Sequence, residues 1–176
     1  MNKVLTMLAY NKEAEEAVRF YVEVFNEIFG DSKIKCITYW GAEEIEEIKK
    51  IPNLTKDMIP GPAGIIKSMC FTLKGQEFMA MNGGGYFGKF TESASIYISC
   101  ETQDEIDFLW DRLSEGGLQQ QCGWVKDRFG VSWQIIPSII QEIDEEADKE
   151  KSLRVFKAMM SMNKIDINEI MLIHKK

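Results

Sequence analysis

Apolar positions along the chain follow strand spacing and helix spacing in a fixed order, and that order occurs twice. In the first half, a strand-like run over Lys3–Tyr10 precedes apolar residues at helical spacing from Ala14 to Phe25. Asn11 is a good helix N-cap residue, and Gly30 is a natural end of the helix. Three further strands are predicted, over Ile34–Trp40, Ile65–Leu73 and Gln76–Met81, with a turn at Lys74-Gly75 between the last two.

The second half repeats this order at an offset of about 92 residues. A strand over Ser95–Cys100 leads into a capping box, in which Thr102 and Glu105 are expected to bond each other's backbone N–H groups. The helix ends near Gly116, and three short strands are predicted around Gln119–Gln121, Cys122–Lys126 and Val131–Ile136. The pattern therefore predicts an α+β domain over residues 1–136, made of two βαβββ modules at about 1–83 and 94–136.

Two segments lie outside this repeat. Glu43–Gly64 is predicted to form a short surface helix followed by an irregular loop, because charged residues give way to three prolines. Residues 137–176 are predicted to be a helical extension, with an acidic, solvated stretch over Asp144–Glu150. Its apolar positions indicate helices around Ile139–Ile143, Leu153–Met160 and Ile165–Ile173.

Charge and composition exclude several classes of protein. The chain has 176 residues, 45% of them hydrophobic, and a net charge of −7 with an isoelectric point of about 4.9. Nucleic acid and anionic lipid are unsuitable partners, because both attract basic surfaces. No apolar run approaches the ~20 residues of a membrane span, and no secretory signal is visible. These features predict a cytoplasmic protein.

The cysteines and the single histidine give little support for catalysis. The four cysteines are scattered in apolar segments and are predicted to be buried hydrophobic residues in a reducing cytosol, at positions Cys36, Cys70, Cys100 and Cys122. His174 stands beside two lysines at the end of the chain and is predicted to be exposed. A catalytic triad would have to recruit it across the molecule or from a second chain.

A glycine-rich segment resembles a nucleotide-binding loop in its spacing only. Residues 83–88 satisfy G-x-G-x-x-G after a strand, but a cofactor site of this type requires a helix directly afterwards. The sequence that follows predicts another strand instead. We therefore interpret the segment as a flexible glycine loop between the two modules.

Five segments together resemble the PhnB-like proteins of the vicinal oxygen chelate superfamily, which includes glyoxalase I and the extradiol dioxygenases. These proteins are often labelled 3-demethylubiquinone-9 3-methyltransferase-like. The most specific segment is Cys122–Pro137, which the residue pattern predicts to be two strands joined by a tight turn at Asp127–Gly130. The other four are Ala14–Phe25, Leu73–Gly83, Asp104–Gly117 and Met159–Ile167. The resemblance implies two modules whose sheets curve around a cleft, in a homodimer.

The same resemblance raises the question of a metal. Members of the superfamily that depend on a divalent ion hold it through His and Glu on the inner strands. The corresponding positions here are Thr6 or Leu8, Met81 or Asn82, Ser95 or Tyr97, and Gln134. None of them is His, Asp or Glu, so we predict neither a catalytic metal nor another cofactor. The cleft and ligand-binding candidates are Gln134, Met81, Asn82, Tyr97 and Glu92.

Gln134 has two interpretations at this stage. Strand alternation places it on the face opposite Trp133, where its amide either contacts a small molecule or bonds to neighbouring strands. Trp133 is predicted to belong to the core if Gln134 faces the cleft.

Three functional hypotheses follow. The first is a metal-independent small-molecule-binding protein with no assignable catalysis. The second is an enzyme on the same fold, either metal-dependent through unconventional ligands or using Glu92 or Glu77 as a general base, which requires a raised carboxyl pKa. The third is an interaction module, which predicts an exposed apolar face on Leu153–Met171.

Overall fold

Each half of the chain forms its own four-stranded mixed sheet with a helix packed on one face. The computed structural model describes residues 4–146 and 148–175, and its contacts divide it into one unit that ends at Lys89 and a second that begins at Phe90. The α+β class, the two βαβββ modules and the C-terminal helical region are confirmed. The C-terminal helices belong to the second unit.

From residue 4 to residue 89, the N-terminal unit contains four strands, two α-helices and two short 3₁₀ helices. Its bounds are β1 Thr6–Tyr10, α1 Ala14–Phe29, β2 Lys33–Tyr39, α2 Ala42–Lys49, a 3₁₀ helix Lys56–Met58, β3 Ile66–Leu73, β4 Gln76–Asn82 and a 3₁₀ helix Gly84–Phe87. The strand order is β1-β4-β3-β2, with β1 parallel to β4 and the other pairs antiparallel. Helix α1 buries Tyr21 and Val18 on the face of the sheet that carries Phe71 and Met69.

Helix α1 begins later than the sequence predicts. Its N-cap residue is Glu13, which makes no side-chain cap bond, so the prediction of Asn11 as the N-cap was wrong. The amide N–H of Ala14 is instead satisfied by Oδ1 of Asn82, at 3.0 Å. A residue 68 positions away thus does what a local cap usually does. At the other end, Gly30 adopts a left-handed conformation with φ of 70°, as predicted.

The C-terminal unit repeats the topology, with strand order β5-β8-β7-β6 and β5 parallel to β8. Its bounds are β5 Ile96–Cys100, α3 Gln103–Ser114, β6 Leu118–Gln119, β7 Trp124–Lys126, β8 Ser132–Pro137, α4 Ile139–Glu145, α5 Lys149–Ser161 and α6 Ile167–His174. The hydroxyl of Thr102 accepts from Glu105 N–H as predicted, at 3.2 Å. The Glu105 carboxylate, however, accepts from the N–H of Glu101 rather than that of Thr102.

Hydrogen bonds from the backbone and from the side-chain amide of Gln103 hold the C-terminal helices in their unit. Cys122 N–H donates to Met162 C=O at 2.7 Å, and Gly123 N–H donates to Asn163 C=O at 2.8 Å. The amide of Gln103 donates to Ile165 C=O at 3.1 Å and accepts from Ile167 N–H at 2.9 Å. Buried apolar side chains of the three helices form one cluster with Ile136.

Two predictions of exposure were wrong. His174 is half-buried, with Nε2 2.8 Å from Oε1 of Glu146. The neighbouring lysines at the end of the chain had suggested exposure. The contact with Glu146 depends on the packing of α6, which the sequence pattern does not show. Of the four cysteines only Cys100 is buried, whereas Cys36 is exposed and the other two are intermediate. Cys36 lies on the edge strand β2, on the face of the sheet away from α1.

No helix in the described parts of the chain is long and apolar enough to span a membrane.

Candidate functional site

An apolar cavity of about 220 Å³ opens within the N-terminal unit. The sheet contributes Met81 near the end of β4, and Trp40 follows the end of β2. The segment 43–64 supplies one wall, and the glycine loop after β4 supplies another. The lining residues are Trp40, Ile48, Ile51, Leu54, Met58, Pro60, Met81, Gly83, Tyr86 and Phe87. No charged side chain is among them, so the walls are suited to an uncharged ligand.

The glycine loop lies close against the 43–64 segment because Gly84 has no side chain. Gly84 has a φ of +67°, and a Cβ there would lie 2.6 Å from the carbonyl carbon of Met58. A Cβ on Gly83 would overlap the ring of Phe87. Phe87 in turn lines the cavity. The loop predicted to be flexible is a short 3₁₀ helix at this point, and its glycines permit backbone contact with the 43–64 segment.

Trp40 is held in place from two sides. Its indole N–H donates to the C=O of Asn82 at 3.1 Å, and the ammonium of Lys67 lies 4.8 Å from the centre of its ring. Lys67 also pairs with Glu44, whose carboxylate accepts from Gly41 N–H at the start of α2. The hydrogen bond from Lys67 holds the pKa of Glu44 below its usual value. The indole plane is therefore fixed as a wall of the cavity.

Of the residues predicted from sequence, Met81 alone lines this cavity. Asn82, the next residue, is buried, and its amide donates to Ile66 C=O and accepts from Ala14 N–H, both at 3.0 Å. Both ends of that amide are engaged within the protein. Asn82 therefore joins β4, β3 and the start of α1 just behind the cavity.

The other three predicted residues lie in the C-terminal unit. Gln134 is half-buried, and its Nε2 donates to Ser95 Oγ at 2.7 Å. It is in register with Tyr97 on β5 and with Trp124 on β7, so these side chains share one face of the sheet. Tyr97 is 52% exposed, and partial desolvation, with a smaller effect of the Asp144 carboxylate, raises its pKa. Trp133, on the opposite face, is fully buried.

Glu92 is exposed and forms an ion pair with Lys126. Gln120 Nε2 also lies 3.4 Å from its carboxylate. The hydrogen bond from Lys126 lowers the pKa of Glu92, which is opposite to the change that a general base requires. Glu77, the second candidate base, pairs with Lys35.

The residues present do not fit the divalent metal site of the vicinal oxygen chelate superfamily. Such a site needs about three hard or borderline ligands and open positions. Among residues 4–146 and 148–175, no three His, Cys, Asp or Glu side chains lie close enough to hold a metal ion. At the corresponding positions, Leu8 is buried on the α1 side of the sheet, and the amides of Asn82 and Gln134 are bonded to protein groups.

Comparison with known proteins identifies the family. The model of the family described as 3-demethylubiquinone-9 3-methyltransferase matches residues 2–136. The chain belongs to this family. It is 31% identical to a solved PhnB protein from Bacillus cereus, with a TM-score of 0.60, and the match covers 77% of this chain and 99% of the B. cereus chain. No curated protein matches the chain.

A Pseudomonas aeruginosa protein of known structure shares the fold of this chain. The two are 18% identical with a TM-score of 0.56, over 78% of this chain and 98% of the other.

The segment 83–88 does not resemble a site for a nucleotide-like methyl donor. Its glycines lead into a four-residue 3₁₀ helix against Met58 and then towards β5, whereas such a site requires the N-terminus of a longer helix.

Sequence reasoning missed most of the cavity. It treated the segment 43–64 as surface, although Ile48, Ile51 and Leu54 were visible as apolar residues beside charged ones. Those three residues contribute to one wall of the cavity. These three residues recur at every third position. That spacing was the available signal that this segment, besides its charged face, has an apolar one.

Proposed function

We propose that this chain is a metal-independent small-molecule-binding protein of the PhnB-like group, and that its ligand occupies the apolar cavity of the N-terminal unit. The cavity itself is the observation that supports this proposal. Its walls come from four separate segments of the unit, and the glycine at position 84 permits the close approach of two of them. Cavities of this kind are the usual form of ligand sites in proteins.

The walls define the chemical class of the ligand. Aromatic rings of Trp40 and Phe87 and the thioethers of Met58 and Met81 offer dispersion contacts, whereas the indole N–H of Trp40 is already engaged. An ionised group would lose its hydration there without gaining a partner. At about 220 Å³ the cavity is below the ~300 Å³ typical of drug-sized ligands. The expected ligand is therefore a small, uncharged, aromatic or aliphatic molecule.

The test uses the fluorescent probe N-phenyl-1-naphthylamine and its displacement by naphthalene or indole. We expect saturable probe binding, and a rise in melting temperature with each competitor, because the ligand binds the folded state only. Leu54→Trp fills the cavity and should weaken probe binding tenfold or more, about 1.4 kcal/mol. The matched control is Leu118→Trp at an exposed position in the C-terminal unit. Equal binding by both variants would contradict the proposal.

An acid–base enzyme at Glu92 has less support, because the carboxyl pKa is lowered rather than raised. We propose a cytoplasmic location, since none of the four cysteines, all of them in the described part of the chain, forms a disulfide.

The homodimer implied by the resemblance is a second proposal, supported by an exposed stripe on α5. Leu153, Phe156 and Met160 are 50%, 55% and 45% exposed and lie at helical spacing along one face. We propose a second copy of this chain as the molecule that covers it. Sedimentation equilibrium should give twice the mass of the chain, and Leu153→Ser with Phe156→Ser should give a folded monomer. A monomeric wild type, or a double variant that stays dimeric, would contradict it.

A further inference from the structure

Two cysteines stand directly opposite each other on neighbouring strands of the N-terminal sheet. Cys36 on the edge strand β2 is in register with Cys70 on β3. The thiol groups of the two residues form a hydrogen bond with each other. Side chains in register on adjacent strands point to the same face of the sheet, so both thiols lie on one side of it. The pair is therefore placed for chemistry that joins the two sulfur atoms.

An extra residue in β2 creates this pairing. The register of β2 and β3 shifts between Ile34 and Cys36, so Lys35 is inserted between two paired positions. In a regular ladder Lys35 would stand opposite Cys70, and Cys36 would be directed to the other face of the sheet. Bulges of this kind reorient side chains and are frequent beside functional sites. The bulge thus brings Cys36 to the side of the sheet that carries the Cys70 thiol.

Small molecules can reach the thiols from the face of the sheet opposite α1. Cys36 is exposed and Cys70 is half-buried. The residues on either side of Cys70 along β3, Met69 and Phe71, are fully buried on the α1 side. A thiol reagent in solution therefore meets Cys36 first, with Cys70 beside it.

The spacing of the two strands suits a disulfide. Residues directly opposite on antiparallel strands have Cα atoms ~4.5–5.5 Å apart, and disulfides join Cα atoms ~4.4–6.8 Å apart. The Cβ atoms must come within ~4.5 Å, which is the short end of the cross-strand range. Because β2 is a bulged edge strand, only one neighbouring strand restrains the small movement that the bond requires.

We propose that Cys36 and Cys70 form a reversible disulfide site, oxidised by a low-molecular-weight disulfide such as oxidised glutathione. The Cys36 thiolate attacks one sulfur of the small disulfide, forms a mixed disulfide and expels one small thiolate. The Cys70 thiolate then attacks the Cys36 sulfur and expels the second. The protein loses two protons and two electrons, and the oxidant becomes two small thiols. Disulfides of cytosolic proteins are usually transient, as this one is.

The disulfide closes a loop that contains most of the cavity wall. Thirty-four positions separate Cys36 from Cys70, and α2 and the 43–64 segment lie between them. Six of the ten cavity-lining residues, from Trp40 to Pro60, belong to this loop. A cross-link over a loop of this length restricts the unfolded chain, so the oxidised protein should melt roughly 5–15 °C above the reduced one. The two cysteines are not among the lining residues, and the proposal does not rest on the proposed function.

The test exposes reduced, untagged protein to oxidised glutathione at two protein concentrations. Remaining thiols are then alkylated in denaturant and located by peptide mass mapping. We expect one Cys36–Cys70 disulfide per chain, formed at a rate that does not depend on protein concentration and reversed by dithiothreitol. Cys100 and Cys122 should be recovered in the alkylated form.

Several results would overturn the proposal. One is a stable glutathione adduct on Cys36 beside a free Cys70 thiol, and another is a disulfide between the Cys36 residues of two chains. Thiols that stay reduced would also overturn it. So would an oxidised protein that melts below the reduced one, because the sheet would then not accommodate the bond.

Variants separate the two steps of the reaction. Cys70→Ser should accumulate the mixed disulfide on Cys36, since no second thiol expels the glutathione, and should show no rise in melting temperature. Cys122→Ser is the matched control, being half-buried and in the other unit, and should oxidise like the wild type. A folded Cys70→Ser protein without the adduct, or a Cys122→Ser protein without the internal disulfide, would contradict the assignment. Circular dichroism melts of the reduced variants establish that each is folded.

Discussion

Asp127 organises the most family-specific segment of the chain. The carboxylate is buried, and Oδ1 accepts from Phe129 N–H at 2.9 Å and from Val131 N–H at 3.0 Å. Oδ2 accepts from the indole N–H of Trp133 at 2.8 Å. One side chain thus holds both the turn between β7 and β8 and a fully buried tryptophan of the unit.

We expect Asp127→Ala to lower the free energy of unfolding by about 2–4 kcal/mol, because it leaves three donors without an acceptor in a buried place. Urea unfolding followed by circular dichroism measures the change. Asp111→Ala, at an exposed position on α3, is the control and should change stability by less than about 0.5 kcal/mol. Similar losses in the two variants would show that Asp127 is not a structural centre.

The sequence predicted the turn but not its partner. Asp and Gly at positions 127 and 130 are typical turn residues, and the bond from Gly130 N–H to Asp127 C=O, at 2.9 Å, confirms the turn. The bond to Trp133 depends on a carboxylate being buried, which composition does not favour. The role of Asn82 was not predictable from the sequence either, because its bond to the start of α1 depends on the pairing of β1 with β4.

The glycine loop and the 43–64 segment act as one structural element. Their backbones meet at Gly84 and Met58, and side chains from both line the cavity. The sequence predicted a helix and an irregular loop in this segment, and α2 and the 3₁₀ helix Lys56–Met58 are there. The cavity was not predictable from spacing, because it depends on how closely two separate segments approach.

We expect Gly84→Ala to destabilise the N-terminal unit and to weaken probe binding in the cavity. A methyl group there is strained by the positive φ, at about 1–2 kcal/mol, and also collides with the Met58 carbonyl. Gly30→Ala is a matched control, since its φ is +70° and nothing lies within 4 Å of its Cβ position. Thermal melts and probe titrations compare the two. If Gly30→Ala lowers probe affinity as much, then the close approach at Gly84 is not what shapes the cavity.

Acidic residues outnumber basic ones in the chain, and several of their carboxylates form ion pairs with lysines. Hydrogen bonds from Lys67, Lys126 and Lys164 hold the pKa values of Glu44, Glu92 and Asp107 below their usual values of 4.5, 4.5 and 3.8. Since the folded state binds protons less readily, these groups contribute stability above those pH values. That contribution is lost as the pH falls through the lowered pKa values.

We therefore expect the free energy of unfolding to decline below about pH 4.5, and the decline to be shallow because the pairs are largely exposed. A variant with methionine at positions 67, 126 and 164 should show a flatter dependence on pH between 7 and 3. Urea unfolding at several pH values gives both curves. A wild type that becomes more stable in acid would contradict the argument. Added salt should reduce the difference between the two proteins.

The parallel pairing of β1 with β4, and of β5 with β8, sets how much chain must close on itself before each sheet is complete. Seventy-two positions separate Thr6 from its partner Phe78, but only 37 separate Ile96 from Trp133. Because closure entropy grows with the logarithm of loop length, this doubling costs only about 0.6 kcal/mol. The segment that builds one wall of the cavity therefore adds little to the entropic barrier of its module.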